Sequence, residues 1–118
     1  NPVTKTEDSP RGHRVFFFNT GRKQVKVPED EIMYIESLKD YVKIHMVGRS
    51  IVTKYQIGQM HELLGSDGYL RVHKSYVVKL DKITAFNASE IEVSNFAVPI
   101  GRTYKEMVDR VLARVSGK

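Results

Sequence analysis

Arg71-Val72-His73-Lys74-Ser75 gathers three basic side chains and a hydroxyl directly ahead of the apolar run Tyr76-Val77-Val78. Arginine and lysine donors suit phosphate oxygens and the O6 and N7 acceptors of guanine, so a rigid basic prong at a sheet edge would recognise nucleic acid. An ordinary strand with solvated basic side chains has the same residues, and their chemistry alone leaves both readings open.

Catalytic chemistry finds less support. The histidines stand at 13, 45, 61 and 73, with no His-x-His pair and no second His four residues after His61-Glu62, so a zinc motif is missing. Ser75 lies outside any Gly-x-Ser-x-Gly elbow, and the glycines never fall as Gly-x-Gly-x-x-Gly or as a phosphate-binding loop. Glu29, Asp30 and Glu31 follow Pro28, where solvated turn charges explain them better than acid–base catalysis. The chain has no Cys, which excludes thiolate metal sites, a cysteine nucleophile and disulfides. Asn87-Ala88-Ser89 matches a glycosylation acceptor, but such tripeptides are common by chance and nothing indicates secretion. No catalytic residue, metal or cofactor is expected.

The elements that must hold the basic segment are mostly strands. Residues 1–14 contain two Pro and one Gly and begin with Asn1 rather than Met, and are expected to form a linker tail from an absent upstream domain. The rest, 15–118, is long enough for one domain that buries roughly two-thirds of its unfolded surface. Period-two segments separated by turn residues predict strands at 15–18, 24–27, 32–36, 41–46, 51–54, 69–73, 76–80, 83–87, 90–93 and 97–100. Val42, Ile44 and Met46 share one face of their strand, and Tyr41, Lys43 and His45 the other. Pro99 demotes the last strand to an edge or a terminus. Residues 56–64 change period and predict a short helix ending at Gly65. A C-terminal helix follows from Tyr104, Met107, Val108, Val111, Leu112 and Val115, with Thr103-x-x-Glu106 as a capping box. The fold class is therefore mostly β, with about ten short strands in antiparallel sheets and two helices. No apolar run approaches the ~18 residues of a membrane span, and a cytoplasmic location is expected.

The formal net charge of +5 is uneven: segments 70–82 and 101–118 carry +3 each, and 83–100 carries −2. Polyanionic partners are favoured. A mostly-β chain supplies no recognition helix, so loops or strand ends would have to reach the base edges.

Four ordered blocks sharpen this: Ile32-Met33-Tyr34-Ile35-Glu36, Tyr41-Val42-Lys43-Ile44, Arg71-Val72-His73-Lys74-Ser75-Tyr76-Val77-Val78 and Val98-Pro99-Ile100-Gly101-Arg102-Thr103-Tyr104. With the helix between the second and third, they make the chain resemble the LytTR DNA-binding domain of bacterial response regulators over roughly residues 15–113. The resemblance implies antiparallel sheets whose loops enter successive major grooves of promoter DNA, often at paired sites, and bend it. It assigns base contact to Lys74 and Arg102, with Arg102 the best candidate for bidentate guanine readout, and adds Tyr41. Lys39, Asp40, Arg71, His73 and Ser75 become backbone-contacting or positioning residues. Lys79 departs from the family, which usually has Asn there. The resemblance also implies a two-component system, with an upstream phosphoacceptor receiver domain and dimerisation on double-stranded DNA. The competing hypotheses are a small β protein-interaction module with a basic docking face and, behind it, an RNA-binding module, for which no RNP-like aromatic run is present.

Overall fold

A computed structural model describes residues 6–7 and 14–115 of the chain, without the side chains of Thr6, Glu7 and Val115. The strands, in chain order, are β1 (Thr6–Glu7), β2 (Val15–Asn19), β3 (Gln24–Pro28), β4 (Ile32–Leu38), β5 (Tyr41–Met46), β6 (Arg49–Thr53), β7 (Tyr69–His73), β8 (Tyr76–Lys79), β9 (Ile83–Phe86), β10 (Glu90–Val93) and β11 (Phe96–Pro99). Helix α1 (Ile57–Leu64) lies between β6 and β7, and α2 (Lys105–Val115) follows β11. The strands form three antiparallel sheets, a central one of order β6-β5-β4-β8-β7 flanked by β1-β2-β3 and β11-β10-β9.

The central sheet is buried on both faces, which is why its sequence reads as short apolar runs as well as alternation. Ile35 and Val77, paired across β4 and β8, enter one core with Phe16 and Phe18 of β2 and Ile57, Met60 and Leu64 of α1. Their neighbours Tyr34 and Val78, also paired, enter a second core with Ile91, Val93 and Val98 of the outer sheet and Val108 and Leu112 of α2. A register shift between Ile32 and Tyr34 brings Ile32 and Ile35, three positions apart, into the same core. On β5, Val42, Ile44 and Met46 are buried together as the alternation predicts. Each fully buried side chain of this size contributes about 1.5–3 kcal/mol. Glu90 and Glu92 alternate with buried Ile91 and so lie on the outer face of their sheet.

Helix α1 matches its predicted span. Gln56 and Gln59 form a reciprocal capping box at its start, and Gly65 ends it at φ 95°, a conformation that costs a side chain. Helix α2 differs from expectation at its N-terminus, where Arg102–Tyr104 wind as a 3-10 turn and the α-helix begins at Lys105, so Thr103 is not its cap. Met107 also leaves the buried stripe. It stands on the margin of the Val108–Leu112 face and is half exposed.

Two expectations about charge are corrected. Glu29, expected to be a solvated turn carboxylate, is buried at 7% exposure. It accepts from Arg14 Nε at 3.1 Å, Arg14 Nη2 at 2.7 Å and the Tyr69 hydroxyl at 2.8 Å. Arg14, assigned to the tail, also donates to the Leu64 carbonyl at 2.7 Å, and thereby joins the β3 end, α1 and β7. Thr6 and Glu7 pair with Phe16 and Val15, and the remainder of the expected tail lies outside the described residues. Asn87 of the Asn-Ala-Ser tripeptide is a turn device, its Oδ1 accepting from the backbone N–H groups of Ser89 and Glu90.

Candidate nucleic-acid interface

Antiparallel pairing decides which turns share an end. β4 ends where β8 begins, with Glu36 opposite Tyr76, and the Ser37 N–H donates to the Ser75 carbonyl at 2.8 Å. The β4–β5 hairpin tip, Lys39-Asp40, therefore stands beside the β7–β8 turn, Lys74-Ser75. The third element arrives from the outer sheet. After β11 the Gly101 N–H donates to the Val72 carbonyl at 2.7 Å, which sets Arg102 next to the β7–β8 turn. A Cβ on Gly101 would meet the Tyr104 ring at 3.1 Å and His73 Cα at 3.4 Å, so glycine is what permits the close approach.

Lys39, Asp40, Tyr41, Lys74 and Arg102 are exposed at this end. Lys39, Lys74 and Arg102 have no carboxylate partner among the described residues. Lys39 is held at φ 65°, a conformation that costs a side-chain-bearing residue about 1 kcal/mol or more and fixes the hairpin tip. Opposite it in the hairpin, Leu38 and Tyr41 pair and expose apolar surface. Thr53, paired with Val42, donates its hydroxyl to the Asn19 carbonyl at 2.6 Å, which brings the exposed Arg22 and Lys23 of the β2–β3 turn to the same end.

Arg71, His73 and Ser75 are half-buried and shape the β7–β8 turn from within. Arg71 Nε donates to the His73 carbonyl at 3.0 Å and Nη2 to the Lys74 carbonyl at 2.7 Å, while the guanidinium lies 5.6 Å from the Tyr104 ring centroid. One side chain thus ties the turn that bears Lys74 to the segment that bears Arg102. The Ser75 N–H donates to His73 Nδ1 at 3.1 Å, so a neutral His73 ring carries its proton on Nε2 and keeps a donor there. Beneath the turn, Tyr76 meets His73 edge-on at 5.5 Å.

A layer of stacked rings supports the whole end. Tyr34 lies between His45, at 4.2 Å, and Phe96, at 4.9 Å, with both rings nearly parallel to it. Glu36 Oε1 accepts from His45 Nε2 at 2.9 Å. Burial, with the Glu36 charge beside it, pushes the Tyr34 hydroxyl up to about 12.

Comparison with known proteins identifies the family. Residues 22–113 match the LytTr DNA-binding domain family. The chain belongs to that family. Among solved structures, the fold is similar to the LytTr DNA-binding domain of a protein described as a methyl-accepting/DNA response regulator from Bacillus cereus. The TM-score is 0.72 at 22% identity, over 83% of this chain and 95% of that one. No curated protein sequence matches it significantly.

Within this LytTr domain, DNA binding for transcription regulation is the function of the family, and no helix of the described residues is long and apolar enough to cross a membrane. Lys79, expected to depart from the family pattern, sits at the far end of β8 from Lys74. It is buried and bonds Asp81 Oδ1 at 2.9 Å, so it serves the following 3-10 turn and not the candidate interface. Lys105 is likewise engaged, donating to the Ala88 carbonyl at 2.9 Å. Sequence reasoning missed Gly101 and the Tyr34 stack. The first needs a packing distance and the second the register that sets Tyr34 opposite His45.

Proposed function

We propose that this LytTr domain recognises specific double-stranded promoter sequences, its three clustered turns entering the major groove, as the output domain of a two-component response regulator. The observation that carries the reading is the convergence of the β4–β5 tip, the β7–β8 turn and the Gly101–Arg102 segment, each bearing an exposed cation with no carboxylate partner among the described residues. Arg102 and Lys74 donate to guanine O6 and N7, and Tyr41, with Leu38, offers apolar contact to thymine methyls. Lys39, His73 Nε2 and Ser75 contact phosphates, Arg71 holds the turn in place, and Asp40 accepts from cytosine amino groups or repels a misplaced phosphate. In the full regulator an upstream receiver domain promotes dimerisation on paired sites, in the cytoplasm, when phosphorylated.

Selection of bound sites from random duplexes tests the reading. A defined sequence is expected to be enriched. Arg102→Ala and Lys74→Ala should each cost about 1–3 kcal/mol on that site and relax specificity at one position. If nothing is enriched, a basic face that docks an acidic protein becomes the better account. If both variants bind like the parent, the residue assignments fall while DNA binding stands.

A further inference from the structure

Behind the β7–β8 turn, α1, β7 and α2 border a cavity of about 540 Å3, within the range that takes a drug-sized ligand. Leu70, Tyr104, Met107 and Val111 give it an apolar floor. Its polar wall holds His61, Arg71 and Arg114, and no carboxylate of the described residues lines it. Arg114 has no carboxylate partner among the described residues. The cavity is thus apolar with positive charge at its wall, which is complementary to a small amphipathic anion.

Two further observations give the site a chemical bias and a consequence. His61 Nε2 is buried without a hydrogen-bond partner among the described residues. Burial, with Arg71 nearby, holds the ring below its usual range, so the positive charge at the wall comes from Arg71 and Arg114 and not from His61. Arg71 belongs both to the cavity wall and to the turn that bears Lys74, whose carbonyl it binds at 2.7 Å. Tyr104 likewise lines the cavity and packs on Gly101, one residue from Arg102.

We propose that this cavity is an effector site for a small aromatic carboxylate, which pairs with Arg71 and Arg114, lays its ring on the apolar floor, and weakens DNA reading by drawing Arg71 from the carbonyls of His73 and Lys74. The coupling rests on the DNA reading proposed above, whereas the binding does not. By linkage, DNA weakens the carboxylate's binding by the same factor.

Naphthoate, titrated into the 118-residue chain and followed by amide resonances, tests the site. Shifts are expected in α1, β7 and α2 around the cavity, and naphthalenemethanol, the same ring without the charge, should bind at least about tenfold more weakly. Met107→Trp fills the cavity from a half-exposed position and should abolish the shifts while keeping DNA affinity without naphthoate within about twofold; Arg114→Glu, which reverses the charge, should weaken naphthoate binding at least about tenfold. Saturating naphthoate should weaken parent binding to the enriched duplex about tenfold and leave Met107→Trp unaffected. Absent shifts, shifts mapping elsewhere, equal binding of the neutral analogue, or shifts unchanged in both variants would overturn the site. Shifts at the cavity with unchanged DNA affinity overturn the coupling. If no duplex is bound even without naphthoate, the DNA reading fails and the site is judged by the amide shifts alone.

Discussion

At the scale of single residues, Glu29 shows how a charge is kept inside a small domain. Burial alone would push its carboxyl up, but hydrogen bonds from Arg14 and Tyr69, with the Arg14 charge, outweigh burial and hold it below its ordinary 4.5. A carboxyl held low when folded binds protons more readily unfolded, so its stabilisation is full above the unfolded value. It is lost as pH falls below 4.5 through the folded value. Glu29→Ala leaves Arg14 without its carboxylate and should cost about 3 kcal/mol near neutral pH. Thermal denaturation across the acid range should show part of the parent's decline missing in Glu29→Gln; equal slopes would place the acid sensitivity elsewhere. Neither the burial of Glu29 nor its partners were legible in sequence, because Arg14 and Tyr69 lie 15 and 40 positions away. Lys74 and Arg102 were singled out by the family pattern of their neighbours, and the fold exposes both; the turn-holding work of Arg71 depends on two carbonyls that only the folded turn presents.

At the scale of elements, the contact between the β7–β8 turn and the β11–α2 connection depends on space rather than backbone strain. Gly101 has φ −72°, open to any residue, yet its missing side chain is what lets Tyr104 and His73 close on it. Gly101→Val should therefore weaken binding to the selected site at least about tenfold, while lowering stability by only about 1–3 kcal/mol. Gly58, in α1, makes the useful contrast, since an added Cβ meets nothing within 4 Å. Gly58→Ala should raise stability by about 0.5–1 kcal/mol without changing DNA affinity, which chemical denaturation and a binding titration would show. Period-two and helical patterns made β2 to β11 and both helices legible to within a residue or two, whereas β1 fell in the expected tail. The pairing order β6-β5-β4-β8-β7 and the bulge at Ile32/Tyr34 were not, since register is a long-range property.

At the scale of the molecule, the +5 charge matters by where the fold exposes it. Arg22, Lys23, Lys39, Lys74 and Arg102 come to one end from segments as far apart as residues 22 and 102. With Lys74 and Arg102 on bases, Arg22, Lys23 and Lys39 remain for phosphates, and log K against log salt should fall with a slope of about −3. A slope near zero on the selected duplex would deny the phosphate contacts their place. The two cores described above share strands β4 and β8, whose adjacent residues Tyr34 and Ile35, or Val77 and Val78, each serve a different core. Loss of either core exposes the back of the strands that hold the other, so neither half can melt alone, and the backbone amides of β4 and β8 should be the last in the domain to exchange with solvent deuterium.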